Sequence, residues 1–435
     1  MSGNSSLDAA RARDAADPLR RMRDRFALPR DAQGEPLTYL CGHSLGLLPL
    51  DARALVNEEL DDWAHLGVEG HEHARRQWVP YHENLTAGLA ALTGARSDEV
   101  VAMNSLTVNL HLMLASFYRP RGVRQRILIE AGAFSSDRHA IASQIAWHGL
   151  EPQSALIELG PRAREDLIAE EAIEACLEKR GGEIAVVVWP GVQFRTGQAF
   201  DLARIARAAQ HAGAIAGFDL AHSVGNTPLA LHEAGADFAV WCSYKYLNGG
   251  PGAIGGCFVH ERHTSAQPRT QHSGGLPGAR LAGWWGHEVA TRFLMDGQFQ
   301  AAAGVAAWQV SNPPILAAAP LLASLGLFQE AGMPALRAKS VQLTNFMAEL
   351  IQPLAPAVQI ITPPESARRG CQLSLRIAGG PSRGKRVFEA LGRRGVVGDW
   401  RAPDIIRVAP VPLYNRFEDV WLFARALADA LRETA

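Results

Sequence analysis

The fold can be read from two neighbouring segments, GFDLAHSVGN at residues 217–226 and WCSYKYLNGGPGAIGG at residues 241–256. An apolar stretch at 214–218 ends at Asp219, and a second apolar stretch at 238–242 is followed by Lys245 and a run of glycines. Short apolar stretches of this kind are typical of buried strands. We therefore expect Asp219 and Lys245 at the carboxyl ends of neighbouring strands, where open α/β sheets bind their ligands.

An acid and a lysine in this arrangement meet the needs of pyridoxal 5'-phosphate. The lysine can form a Schiff base with the cofactor aldehyde. The acid can hold a proton on the pyridine nitrogen, so that the ring accepts electrons from a substrate. Glycines after the lysine let the backbone approach the cofactor closely. The two segments therefore predict this cofactor, with Lys245 and Asp219 as catalytic residues, while many reactions stay open.

Strands and helices alternate through the middle of the chain. Strands are expected at 126–130, 155–159, 184–189, 214–218, 238–242 and 253–259, and helices at 136–148, 165–179 and 201–212. This alternation predicts an α/β fold in which a mainly parallel sheet is sandwiched between helices. Right-handed crossovers would then bring Phe134, Asp219 and Lys245 to one edge of the sheet.

Two further segments are candidates for ligand binding. The helix in NSLTVNLHLMLASFY, from residue 104, would leave free backbone N–H groups at Leu106 and Thr107, where the helix dipole favours an anion. An ordinary helix cap is the alternative, and the lysine site downstream favours phosphate binding. The loop CGHSLGLLP at 41–49 is equally compatible with a turn and with a ligand loop.

Composition points to a small-molecule enzyme. The 435 residues carry a formal net charge of −1, so no strong field favours nucleic acid or a membrane surface. We expect no membrane span, and the first residues lack the apolar core of a signal peptide. The five cysteines show no metal-ligand spacing, which predicts reduced thiols and no metal site. A cytoplasmic location is expected.

The chain divides into an arm and two domains. Residues 1–16 are polar and are expected to fray, and the whole arm, 1–48, is expected to pack on the smaller domain. The large domain is placed at 49–310. Asn312-Pro313-Pro314 form a rigid hinge, so the small α+β domain is placed at 311–435. Its elements are expected as helices at 314–329, 333–353 and 385–394 and strands at 371–377, 396–399 and 404–408.

Seven segments together resemble the kynureninases, a family of fold-type I pyridoxal phosphate enzymes. They are GHSLGL (42–47), MNSLTVNLHL (103–112), GFDLAHSVGN (217–226), WCSYKYLNGG (241–250), GWWGHE (283–288), SNPPIL (311–316) and RVAPVPLYN (407–415). The resemblance implies fold-type I architecture and a homodimer with shared active sites. It also implies hydrolytic cleavage of the Cβ–Cγ bond of an amino-acid substrate, L-kynurenine or its 3-hydroxy form, to an anthranilate and L-alanine in tryptophan catabolism.

The resemblance assigns the cofactor contacts. Lys245 matches the Schiff-base lysine, Asp219 the partner of the pyridine nitrogen, and Tyr244 a catalytic residue that reaches the phosphate and relays protons. Phe134 matches the aromatic that stacks on the ring, and Trp284 and Asn312 match residues supplied by the other subunit. The full set is Leu106, Thr107, Phe134, Ser135, Ser136, Asp137, Asp219, His222, Tyr244, Lys245, Trp284 and Asn312.

Substrate contacts follow from the same resemblance. Arg407 matches the arginine that binds the substrate carboxylate, and Ser44, His71 and Asn312 are further expected contacts. His71 and the pair Ser311-Asn312 resemble the set in members that favour 3-hydroxykynurenine. Three positions depart from the usual pattern of the family: His43 replaces an asparagine, Ser135 a proline, and Pro190 a serine or threonine. Because Pro190 has no hydroxyl group, one hydrogen bond near the cofactor is not expected here.

Two other functions remain possible on sequence alone. A cysteine desulfurase would need a nucleophilic cysteine on a mobile loop, and none of the five cysteines stands in an evident loop of this kind. A non-catalytic pyridoxal-binding regulator would be expected to carry a DNA-binding segment, and none is evident.

Overall fold

The computed structural model describes residues 6–264, 280–294, 297–354 and 356–435. The α-helices of these residues are α1 (Leu7–Ala16), α2 (Leu50–Leu66), α3 (Gly70–His73), α4 (Glu83–Thr93), α5 (Leu106–Phe117), α6 (Ser135–Trp147), α7 (Pro152–Ala155), α8 (Glu170–Arg180), α9 (Leu202–His211), α10 (Leu231–Ala234), α11 (Glu261–Thr264), α12 (Ile315–Ala331), α13 (Met333–Ile351), α14 (Pro381–Arg393) and α15 (Phe417–Glu433). The strands are β1 (Phe26–Ala27), β2 (Thr38–Tyr39), β3 (Leu48–Pro49), β4 (Val100–Ala102), β5 (Arg126–Glu130), β6 (Leu156–Leu159), β7 (Ile184–Pro190), β8 (Ile215–Asp219), β9 (Phe238–Trp241), β10 (Gly256–Val259), β11 (Val358–Ile360), β12 (Leu373–Ile377), β13 (Val396–Val397), β14 (Asp399–Arg401) and β15 (Ile405–Val408).

A seven-stranded sheet forms the centre of the large domain, in the order β4-β10-β9-β8-β7-β5-β6. The strands from β6 to β9 in this order run parallel, and β10 is antiparallel to both of its neighbours. The predicted α/β fold with a mainly parallel sheet is therefore confirmed. Because the parallel strands share one direction, their carboxyl ends lie at one edge of the sheet.

All six predicted strands of this sheet are present: β5 has the predicted bounds, and the other five have shifted ends. The largest shift is in β10, which was expected from residue 253 and begins at Gly256. Gly250 and Gly252 before it have φ angles of +85° and +75°, a conformation that side chains avoid, so the glycine loop runs further than the apolar pattern indicated.

Helices cover both faces of the sheet because successive strand residues point to opposite sides. Val187 and Phe218 pack into one core with residues of α4 and α9, while Val186 and Val240 pack into another with residues of α5 and α6. Strands buried on both faces read as continuous apolar runs, which is why the sequence shows them clearly.

The small domain has its own core beneath an antiparallel sheet of order β11-β12-β15-β14. Residues of α13, α14 and α15, such as Phe346, Val387 and Phe423, fill this core. Helix α12 packs instead on α2 and α4, and its residues Ala319 and Leu325 belong to the core of the large domain. The small domain was expected from residue 311, and this packing leads us to propose a boundary within α13.

The N-terminal arm is ordered by the small domain. Helix α1 packs on α15, with Ala10 inside the small-domain core. The carboxylate of Asp14 accepts the N–H groups of Phe417 and Glu418 at 2.7 and 3.0 Å, so it caps α15. The expectation that residues 6–16 fray is therefore wrong, because a contact with the far end of the chain stabilises a helix of weak local pattern; residues 1–5 lie outside the described residues.

Within the described ranges, no single helix is long and apolar enough to cross a membrane. Only Ile315–Ala331 and Met333–Leu354 taken together meet both conditions, and a bend of 83° separates them.

Candidate active site

A cavity of about 200 Å³ opens at the carboxyl ends of β7 and β8. It collects nine of the twelve expected cofactor contacts from four separate stretches of the chain: Leu106, Thr107, Phe134, Ser136, Asp137, Asp219, His222, Tyr244 and Lys245. The parallel sheet accounts for this convergence, because it aligns the loops that follow its strands.

Two helix N-termini meet at one end of the cavity. Leu106 and Thr107 begin α5, and Ser136 lies in the first turn of α6, where its Oγ is 2.7 Å from Oγ1 of Thr107. Ser105, the N-cap of α5, makes no side-chain capping bond, so its hydroxyl does not occupy the first N–H groups of the helix. Free N–H groups, two hydroxyls and two helix dipoles form a site suited to a phosphate.

Lys245 projects into the cavity from the loop after β9. Its Nζ lies 3.0 Å from Nε2 of His222 and 5.8 Å from the ring centroid of Phe134. Burial, followed by the charge of Lys245, holds the pKa of His222 well below its usual value. The imidazole is therefore neutral, and Nε2 accepts a hydrogen bond from the ammonium group.

Tyr244 stands beside the lysine and stays protonated. Burial, and then the neighbouring thiol of Cys242, raise the pKa of the Tyr244 hydroxyl above its ordinary value. A phenol of this kind donates a hydrogen bond and can pass a proton, but it does not act as a phenolate at neutral pH.

Three carboxyl groups line the cavity: Asp219, Asp137 and Glu130. Burial and the adjacent Asp219 raise the pKa of Asp137 well above its usual value, and burial raises the pKa of Glu130 to about 8. Oδ1 of Asp137 and Oε2 of Glu130 have no hydrogen-bond partner in the described residues. Like charges this close do not all ionise, so the region has protons and acceptors to offer to a ring nitrogen.

The loop at 41–49 packs against the lysine loop. The N–H of Gly46 donates to the carbonyl oxygen of Tyr244 at 2.8 Å. A Cβ on Gly46 would collide with the carbonyl oxygen of Lys245 and with Asn248, so the two loops touch only because residue 46 is glycine. The segment is thus more than a turn, since it carries Ser44 toward Arg407.

Arg407 lies next to the cavity but outside its lining. It is a residue of β15, its side chain is 1% exposed, and it is held between the two domains. Nη1 donates to the carbonyl oxygen of Phe194 at 2.7 Å, and Phe194 lines the cavity with its ring 5.5 Å from that of Phe134. Nη2 lies 3.3 Å from Oγ of Ser44. Phe194 thus connects the arginine to the cavity.

Besides Arg407 and Ser44, four expected site residues do not line the cavity: Ser135, His71, Trp284 and Asn312. Ser135 begins α6 but does not line the cavity, and Pro190, a cavity residue at the end of β7, offers no donor. Trp284 is 48% exposed, and Asn312 and His71 are also exposed. The exposed positions are available to a second molecule.

The sequence did not single out Glu130, Phe194 or Asp399. Glu130 ends β5 as Asp219 ends β8, so its position at a strand end was a usable signal. Asp399 faces Arg407 directly across the β14–β15 ladder, which becomes visible only once the pairing register is known. Phe194 lies in a loop and carries no pattern.

Comparisons with known proteins agree with this geometry. Residues 336–427 match the family described as the kynureninase C-terminal domain. A protein of Xanthomonas campestris pv. campestris named kynureninase is 58% identical over 421 residues, which covers 97% of each chain. One of Xanthomonas oryzae pv. oryzae with the same name is 57% identical and covers 95% of this chain and 96% of its own.

Solved structures resemble the fold. A cysteine desulfurase of Escherichia coli aligns with a TM-score of 0.73 over 95% of this chain and 98% of its own, at 17% identity. The lyase C-DES, in a structure with glycine covalently linked to its PLP cofactor, aligns with a TM-score of 0.73 over 90% of this chain and 96% of its own, at 19% identity. At these identities the likeness concerns architecture, and it gives no support to a desulfurase activity.

Proposed function

The chain belongs to the kynureninase family, and from this premise we propose that it cleaves the Cβ–Cγ bond of L-kynurenine or 3-hydroxy-L-kynurenine with water, giving an anthranilate and L-alanine. The observation that carries the proposal is the 58% identity over nearly the whole chain, joined to a cavity that holds the expected lysine and acid. The enzyme depends on pyridoxal phosphate and acts in tryptophan catabolism.

The residues present fit pyridoxal phosphate. The two helix N-termini at Leu106 and Ser136 suit its phosphate, and the unpaired oxygens of Glu130 and Asp137 lie in the region expected to face its ring nitrogen. When bound, the cofactor supplies a conjugated ring that takes up the electron pair released at the substrate Cα. Asp219 would hold the proton on the ring nitrogen, and Phe134 would cover one face of the ring.

Proton transfer falls to two neighbouring side chains. Lys245 would hold the cofactor through its Nζ, and the same amine would take the proton from the substrate Cα. The neutral Nε2 of His222 accepts a hydrogen bond from this Nζ and so keeps it pointed into the cavity. The protonated hydroxyl of Tyr244 is the nearest candidate to pass a proton as the Cβ–Cγ bond breaks and water is added.

Arg407 would bind the substrate carboxylate. Its guanidinium is buried and planar, and among the contacts of the described residues one N–H of Nη1 is left to donate a directed hydrogen bond to a carboxylate. Holding the substrate at both its amine and its carboxylate aligns the bonds at Cα for reaction. Ser44 supports this arginine, while His71 and Asn312 are proposed as contacts to the aromatic part of the substrate.

We propose that the enzyme is a homodimer with shared active sites in the cytoplasm. Trp284, Phe293 and Leu294 are 48%, 59% and 63% exposed in one chain, an apolar surface suited to a second copy. Asn312 is likewise exposed, as expected of a residue that serves the partner's site. All five cysteines are free thiols, in keeping with a reducing compartment.

One experiment tests the reaction. Purified holoenzyme is incubated separately with L-kynurenine, 3-hydroxy-L-kynurenine and L-cysteine, and anthranilate fluorescence, L-alanine and sulfide are measured. We expect both anthranilate and L-alanine from at least one kynurenine and no sulfide from cysteine. Absence of product from either kynurenine, with the cofactor bound at full occupancy, would refute the proposal, and sulfide release would favour a desulfurase. The ratio of kcat/KM values gives the preferred substrate.

A further inference from the structure

Asp399 lies directly opposite Arg407 in the antiparallel ladder of β14 and β15. Nε of Arg407 donates to Oδ1 of Asp399 at 3.1 Å, and Nη2 lies 2.9 Å from Oδ2. This two-point contact matches the fork of the guanidinium to the two carboxylate oxygens, the most directional ion pair that proteins form. Burial alone would raise the pKa of Asp399, but its hydrogen bonds and the charge of Arg407 hold it at about 2. Asp399 is therefore an anion at every working pH.

The orientation of Arg407 is fully determined by its partners. Nε and Nη2 contact Asp399, Nη2 also contacts Ser44, and Nη1 donates to the carbonyl oxygen of Phe194. Of the five guanidinium N–H groups, four are thereby engaged within the described residues, and one N–H of Nη1 remains. That group is on the nitrogen that already contacts Phe194, a residue of the cavity wall.

A second arginine shares the same carboxylate. Nε of Arg401 lies 2.8 Å from Oδ1 of Asp399, and Nη2 donates to Oδ2 at 3.0 Å. Its guanidinium carbon lies 6.0 Å from the ring centroid of Phe194, and about a third of its side chain is exposed. Arg401 therefore reaches the cavity wall from the solvent side, while Arg407 reaches it from the interior.

The net charge of the cluster formed by Arg407, Asp399, Arg401 and His43 indicates what each residue contributes. Arg407 and Asp399 cancel, so the pair alone offers no net attraction to a carboxylate. His43, fully buried beside them, adds no charge because burial holds its pKa well below the usual value. Arg401 leaves the cluster with one net positive charge. The charge of Lys245 is not counted here, because its amine would be bonded to the cofactor.

A metal site is excluded by the same contacts. Cys41, His43 and Asp399 place possible ligand atoms within 4.8 Å of one another. Both oxygens of Asp399 already accept bonds from guanidinium groups, and two fixed positive charges oppose a cation.

We propose that Asp399 and Arg401 complete the carboxylate site of this enzyme: Asp399 is a positioning residue that fixes the plane of Arg407, and Arg401 provides the net positive charge that attracts the substrate carboxylate. The inference rests on the proposed function, in which Arg407 binds that carboxylate. It assigns the recognition of the single carboxylate of the amino-acid substrate to three residues of one hairpin rather than to one arginine.

The test uses two ligands that differ only in the carboxylate. L-alanine and ethylamine are titrated into holoenzyme, and binding is followed by the change in the visible absorbance of the cofactor. For Arg401→Gln we expect the dissociation constant of L-alanine to rise about five- to tenfold and to lose much of its dependence on salt, with ethylamine unchanged. Arg401→Lys should restore most of the L-alanine affinity, because it keeps the charge. Arg393→Gln, which removes an exposed arginine paired with Glu433, is the matched control and should behave as wild type.

Asp399→Asn tests whether Asp399 positions Arg407 or instead competes with the substrate carboxylate for it. The variant raises the net charge of the cluster by one, yet it removes the partner that orients Arg407. If Asp399 positions the arginine, the dissociation constant of L-alanine and the KM for kynurenine rise by about tenfold despite the added charge. Tighter or unchanged binding of L-alanine by Asp399→Asn, or unchanged binding by Arg401→Gln, overturns the inference.

Arg407→Gln distinguishes failure of the inference about Asp399 and Arg401 from failure of the proposal that Arg407 binds the substrate carboxylate. If Arg407→Gln weakens L-alanine and leaves ethylamine unchanged while Arg401→Gln changes neither, Arg407 binds the carboxylate and only the inference is wrong. If Arg407→Gln leaves L-alanine binding unchanged, the carboxylate lies elsewhere and both statements fall. Thermal unfolding of each variant is measured in parallel, so that a loss of affinity is read only from folded protein.

Discussion

Nζ of Lys245 lies 3.0 Å from Nε2 of His222 inside the cavity, and the neutral ring is the acceptor. Replacing His222 by Leu leaves this ammonium group without its partner. We expect the free energy of unfolding of the cofactor-free protein to fall by about 1.5–3 kcal/mol, the usual contribution of a hydrogen bond to a charged group. His222→Gln keeps an acceptor and should lose less. Urea unfolding at pH 8 measures both, and equal stability of the two variants would contradict the acceptor role.

Lys245→Ala should abolish the covalent attachment of the cofactor. We expect the visible absorbance of the bound cofactor to be lost and borohydride treatment to add no cofactor mass to the protein. Lys385→Ala is the control, because Lys385 is an exposed lysine of α14. A cofactor adduct on the Lys245→Ala protein, located by peptide mass spectrometry, would show which other lysine carries it.

Glu130 predicts a dependence of stability on pH. Its pKa in the folded protein, about 8, lies above the ordinary value of 4.5. The stability that the protonated carboxyl contributes is therefore present in full below pH 4.5 and is lost as the pH rises through 8. Glu130→Gln, neutral at every pH, should be more stable than wild type at pH 8.5 by on the order of 3 kcal/mol. Denaturant unfolding of cofactor-free protein at pH 4 and pH 8.5 measures the difference, which should nearly vanish at pH 4.

Gly46→Ala tests the contact between the two loops. The added methyl group meets the carbonyl oxygen of Lys245 and the side chain of Asn248, so the loops must separate. Because a displacement of about 1 Å at a site can cost up to 100-fold in rate, we expect kcat/KM to fall at least tenfold. Gly182→Ala adds the same methyl group where nothing lies within 4 Å, and it should leave kcat/KM unchanged. Equal activity of both variants would mean that the loop contact has no role.

Shared active sites predict complementation between inactive subunits. Lys245→Ala and Asn312→Ala proteins, mixed and allowed to exchange subunits, form heterodimers in which one site has both residues intact. With half of the dimers mixed, about a quarter of the wild-type activity should appear above that of either variant alone. A mixture of Lys245→Ala with Asp219→Asn should recover nothing, because these residues serve the same site. Absence of recovery in the first mixture, after exchange is verified, would place Asn312 outside the partner's site.

The sequence predicted the elements whose signals are local. Asp219 and Lys245 follow apolar runs that are typical of a sheet covered on both faces, and they converge because the strands before them run parallel. The start of α5 at Leu106 is likewise a local capping signal. Long-range packing was not accessible in this way. Helix α1 depends on α15, and α12 resembles a small-domain helix until its contacts with α2 are known.

The electrostatics of the site were less accessible still. Arg407 was identified by resemblance, but its partners are set by the register of β14 on β15 and by a loop carbonyl at Phe194. The protonation of Glu130 depends on burial, which a sequence does not report. Sequence patterns therefore located the reacting groups, while the structure was needed for the groups that orient and charge them.

The arm that begins with α1 has a consequence for biosynthesis. The helix α1 is synthesised before α15, yet it packs on α15, and Asp14 caps that helix. The large domain can complete its sheet before then, because its strands all lie upstream of residue 260. During synthesis, the cavity around Lys245 can therefore form before Arg407 is made and before α15 is available to hold α1. The region around Arg407 is therefore assembled after the cavity of Lys245, when α1 meets α15.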